Sequence, residues 1–82
     1  MDNLPTPIPA EAICFGLDRA TDEKSLIELL RRFARPQLLA TLAPRLTSRE
    51  LEELVDLTGR LMRQHLNHRE YHNLFLDNLE KY

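Results

Sequence analysis

Residues 47 to 75 read "TSRELEELVDLTGRLMRQHLNHREYHNLF", and where the helix in this stretch ends decides the architecture of the chain. Thr47-Ser48-Arg49-Glu50 has capping-box spacing: a hydroxyl at the first position and a carboxylate three residues later reciprocally satisfy free amides at a helix start. The segment it opens is the longest helical one. Asn67 and Glu70 repeat that spacing, which predicts a break near Asn67 and a further helix over residues 68–80. Periodicity predicts the opposite. At 100° per residue from Leu51, Leu54, Leu61, Leu76 and Leu79 lie in an arc of about 280° to 340°, one stripe running through Asn67 without resetting. A continuous helix over 48–80 would be about 50 Å long, against a radius of gyration near 12 Å for a compact chain of this size. Either the helix bends near Asn67 and folds back, or a second subunit covers the overhang.

The same arithmetic puts His65, His68 and His72, the only histidines, at about 320°, 260° and 300°, within the leucine stripe and facing an interior or an interface. The spacing "HREYH" is not the H-E-x-x-H of a metalloprotease, because Glu70 points about 160° away from each histidine of the pair. His68 and His72, one turn apart, could share a zinc ion, but His65 lies about 10.5 Å along the axis from His72 and cannot easily join them. The ligand set is incomplete, so the expectation is histidines hydrogen-bonded within a packed face, with no cofactor.

Upstream of Thr47 the chain is punctuated by proline. "NLPTPIP", residues 3–9, predicts an extended N-terminal arm over residues 1–8, since each proline fixes φ and drives its predecessor towards extended geometry. Pro9 can open a short helix, "PAEAICFGLDR", with Ile13 and Leu17 on its buried side. Thr21, followed by Asp22 and Glu23, predicts the start of a second helix running to about Ala34, with Leu26, Leu29, Leu30 and Phe33 on one face. Pro36 ends it and begins a third, "PQLLATLA", anchored by Leu38, Leu39 and Leu42 and closed by Pro44.

Seventeen leucines against three isoleucines and one valine, with only two glycines, offer little strand or hairpin chemistry. The fold expected is all-α: a small bundle of four to five helices over residues 9–82, one domain, with the Pro-rich arm before it and a long C-terminal helix. A chain of 82 residues buries only about 60–65% of its unfolded surface, and oligomerisation is a ready remedy. The lone cysteine, Cys14, excludes an internal disulfide, and in "AICFGL" it reads as a small buried hydrophobe rather than a nucleophile. No basic, apolar leader opens the chain and no apolar run reaches the roughly 18–20 residues of a membrane span, so a cytoplasmic location without membrane is expected. There is no glycine-rich phosphate loop.

Net charge is −2, unevenly placed. Residues 24–49 carry Lys24, Arg31, Arg32, Arg35, Arg45 and Arg49 against Glu28 alone, while both flanks are acidic. Such a segment can pair within the chain or meet an acidic partner. "LTSRE", residues 46–50, resembles the opening of LuxR-type DNA-binding domains, and the helices around it would imply a helix-turn-helix. Pro44 stands where that family has a turn glycine. A recognition helix over 48–59 would set Glu50, Glu52, Glu53 and Asp56 beside Arg49 against phosphates, and repulsion makes that docking poor. The function expected is therefore protein–protein interaction or regulation without catalysis, through a homodimer seam of Leu61, His65, His68, His72, Phe75, Leu76 and Leu79. The alternatives are nucleic-acid contact through Arg31, Arg32, Arg35, Arg45 and Arg49, and metal binding through His68 and His72.

Overall fold

A computed structural model describes residues 9–76 of the chain; the expected arm over residues 1–8 and Leu79 lie outside the described residues. Among the described residues the structure is all-helical, without strands. Four α-helices occur in order: α1 (Arg19–Phe33), α2 (Pro36–Leu42), α3 (Ser48–His65) and α4 (His68–Glu70). Two compact units, Met1–Arg45 and Leu46–Tyr82, hold them in pairs.

In the first unit the segment before α1 is shorter in helix than its sequence suggests. Pro9 precedes a single 3-10 turn, Ala10–Ala12, which stops at Ile13 in extended geometry. Gly16 follows three residues later. Its φ of 95° lies in the left-handed region that glycine enters without steric penalty, and there the chain turns back along α1. The Cys14 amide donates to Ser25 Oγ at 3.1 Å and the Gly16 amide donates to Asp22 Oδ1 at 2.9 Å. Leu17, expected on a buried side, is exposed, and so is Cys14.

The start of α1 is also corrected. Asp18, in extended geometry, is its N-cap, accepting from the Thr21 amide at 2.8 Å and from the Thr21 hydroxyl at 3.1 Å. Thr21 is thus the third residue of the helix rather than its cap, because a carboxylate three residues earlier already holds its amide. Ala34 ends α1, and Pro36 opens α2 at a position where no amide proton is needed. A 3-10 turn, Ala43–Arg45, follows.

In the second unit Thr47 and Glu50 form the expected capping box at the head of α3, with bonds of 2.9 and 3.0 Å. At the far end the break is realised. Leu66 (φ −115°, ψ 141°) and Asn67 (φ −82°, ψ 174°) are extended, and Asn67 with Glu70 forms a second capping box at 2.8 and 2.9 Å. The stripe phase carried past Asn67 is therefore corrected: His68, His72 and Leu76 are placed by a new helical start. That start widens into a π turn, Tyr71–Phe75, closed by the Leu76 amide donating to the Tyr71 carbonyl.

The Asp18 cap makes a pH prediction. Accepting from the Thr21 amide first, and from its hydroxyl second, holds the Asp18 carboxyl below the ordinary aspartate value. A depressed folded value contributes stability that is present above the unfolded value of about 3.9 and is lost as pH falls through the folded one. Helicity followed by circular dichroism from pH 5 to pH 2 should decline less steeply in Asp18→Asn, which keeps a capping oxygen without the titration; identical profiles would contradict the cap.

Candidate functional site

The candidate surface begins with what is covered. Among the described residues no hydrophobic side chain is buried, and the buried ones are Ser25 and Glu28. Ser25 is covered where the chain before α1 folds back, at its bond with Cys14. Glu28 takes two guanidinium groups: Arg32 Nε donates to Oε2 at 2.8 Å and Arg31 Nη1 to Oε1 at 3.2 Å. The spacing i+3 and i+4 brings both arginines over one carboxylate. On the expected apolar face of Leu26, Leu29, Leu30 and Phe33, the three leucines are 43–52% exposed and Phe33 is half-buried.

Two of the five arginines considered for nucleic acid thus converge on Glu28. Arg35 precedes α2 as its N-cap. Arg45 lines a groove of about 560 Å³ with Phe33, Gln37, Leu38, Thr41 and Leu42. Arg49 belongs to the second unit and pairs with Glu53 at 3.3 Å. Sequence reasoning passed over Glu28 as a hub, though its spacing from Arg31 and Arg32 carried the signal.

In the second unit α3 presents an apolar side formed by Leu51, Leu54, Leu57 and Leu61, which are 37–48% exposed, with Val55 more exposed still. Thr58 lies within this side without adding an unsatisfied polar group, because its hydroxyl donates back to the Leu54 carbonyl at 2.8 Å. Where α3 meets α4, Gly59, Met62, Arg63, Leu66, Asn67, His68 and Tyr71 line an open groove of about 580 Å³.

The expected interface residues divide between these places. Leu61 and His65 belong to α3, while His68, His72, Phe75 and Leu76 come after the break. His65 and His68 are exposed and His72 is half-buried, so the described residues do not close a leucine–histidine seam inside one chain. The break does gather aromatic rings: Tyr71 stacks on Phe75 with centroids 5.4 Å apart, and His68 meets His72 edge-on at 4.3 Å. That histidine pair would supply two of the four ligands of a tetrahedral zinc site. No group of three or more His, Cys, Asp or Glu side chains placed for an ion occurs among the described residues. No helix among them is long and apolar enough to cross a membrane.

Against known proteins the chain matches no family model, no curated protein and no solved structure.

The contrast between buried and exposed ion pairs is measurable. Glu28→Ala leaves two guanidinium groups without their shared carboxylate and should lower stability to chemical denaturation by about 2 kcal/mol. Glu53→Ala removes a surface pair and should cost under about 1 kcal/mol. Equal effects would show that burial of Glu28 is not what gives its pairing weight.

Proposed function

We propose that this chain is a small helical interaction module that works by binding another protein, first of all a second copy of itself, and performs no catalysis. The observation that carries this reading is the apolar side of α3, Leu51, Leu54, Leu57 and Leu61, exposed along a helix of 18 residues. Solvent-exposed apolar stripes of this length are costly, and contact with a matching stripe relieves the cost. His65 and Leu61 lie at the C-terminal end of α3, and the ring cluster of His68, Tyr71, His72 and Phe75 extends the contact beyond the break. Assembly in this way completes a bundle from two chains. The single cysteine, which cannot close an internal disulfide, suits a cytoplasmic setting. Two arginines of the first unit, Arg31 and Arg32, serve the carboxylate of Glu28 before any external anion, which supports a protein partner over nucleic acid.

Sedimentation equilibrium at micromolar concentration should return a mass near twice the 9.6 kDa of the chain. Leu54→Asp with Leu61→Asp, which places carboxylates in the seam, should return the single-chain mass. A wild-type mass of 9.6 kDa across the concentration range would contradict the proposal.

A further inference from the structure

Beyond the break, two nitrogen-donor side chains stand together whose chemistry the leucine contact does not use. His68 and His72 are one helical turn apart, and their rings meet edge-on with centroids 4.3 Å apart. Edge-on packing is ordinary between aromatic rings, but here each ring also carries a nitrogen able to bind a metal ion when the imidazole is neutral. Bonds of about 2.0–2.1 Å at a tetrahedral angle set two ligating nitrogens about 3.3 Å apart. Rings with centroids 4.3 Å apart can span that bite by rotation about their side-chain bonds. One ring is already supported: Tyr71 meets His72 edge-on at 5.9 Å and is itself stacked on Phe75 at 5.4 Å. His68 is exposed and His72 half-buried, so the pair is accessible to an ion from solvent.

Within one chain the pair gains no third ligand. Glu70 lies about 160° from each histidine around the helix, and its Oε1 accepts from the Asn67 amide at 2.9 Å as part of the cap. No third His, Cys, Asp or Glu side chain joins the two histidines among the described residues. A structural zinc site takes four ligands. A second copy related by a two-fold axis brings the same two imidazoles, and symmetry thereby supplies the half of the set that one chain lacks.

We infer that His68 and His72 form half of a zinc site, completed by the same pair from a second copy about a two-fold axis through the ion. Such a site shares with the leucine contact only its partner, a second copy. Zinc fits this donor set because it takes four ligands tetrahedrally and binds neutral imidazole, whereas calcium and magnesium take oxygen ligands. Two imidazoles from one chain leave the ion half-coordinated and four from two chains complete it, so occupancy and assembly are coupled.

The test is zinc chloride added to the untagged chain after a chelator has stripped it of metal. Calorimetric titration should give about one ion per two chains, and sedimentation should show the dimer dissociation constant falling by about ten-fold or more at saturating zinc. Cobalt(II) in place of zinc should give the intense visible absorption of a tetrahedral site rather than the weak bands of an octahedral one. His68→Ala, at an exposed position, should abolish all three responses while helicity by circular dichroism is kept, and His68→Gln serves if the truncation perturbs folding. One zinc ion per chain without change in mass, an octahedral cobalt spectrum, or responses that survive loss of His68 would overturn the site. A metal-free dimer indifferent to zinc would overturn the site and leave the leucine seam standing. A metal-free chain of single-chain mass that pairs only with zinc would overturn the seam and leave the site.

Discussion

Everything in this molecule depends on where its leucine surface goes. Seventeen of 82 residues are leucine, and the side chains that the described residues bury are instead a serine and a glutamate. Moving a half-exposed leucine out of water is worth roughly 1 kcal/mol at the usual area coefficient. Four such leucines on α3, doubled across two copies, amount to a contribution comparable with the whole stability of a small domain. The helices are well started and well ended by local hydrogen bonds, but local bonds do not cover apolar surface. In the proposed assembly association is the step that does, and it would join folding to function: the surface that destabilises a lone chain would be the surface that recognises its partner.

The first unit shows how a polar group comes to be covered while leucines are not. Gly16 turns the chain back along α1, and the backbone amides of Cys14 and Gly16 find Ser25 and Asp22 there. Glu28 lies one turn beyond Ser25 and takes Arg31 and Arg32. These polar side chains are engaged while Leu26, Leu29 and Leu30 stay largely exposed. An uneven charge pattern that suggested an external anion is in this way partly used within the helix. The apolar groove of the first unit, between Phe33 and Leu42, belongs to the same economy of surfaces left for other contacts.

What could be read in the residues was mostly what acts over one turn. The Thr47–Glu50 box, the Pro36 boundary and the all-α class follow from short-range rules, and the structure bears them out. Asn67–Glu70 was legible too, but it competed with a phase argument that has no term for a local break: leucines beyond a new helix start can fall in phase without sharing a face. Asp18 was missed because Thr21 is an equally good capping residue, and only the extended geometry of Asp18 and its bond from the Thr21 amide show which of them caps the helix. The burial of Ser25 and Glu28 was out of reach, since it depends on the chain folding back on α1 and not on any periodicity. Of the candidate interface residues, Leu61 and His65 were legible as members of one helix, which α3 is; past the break, the stacking of Tyr71 on Phe75 and the meeting of His68 with His72 required coordinates.

The central claim is that the leucine face of α3 is covered by assembly, so that folded structure and association share one free energy. Thermal unfolding followed by circular dichroism over a hundred-fold range of protein concentration tests it most directly. Because partner binding stabilises the folded state by mass action, the account predicts a midpoint that rises steadily with concentration, and a midpoint independent of concentration would contradict it.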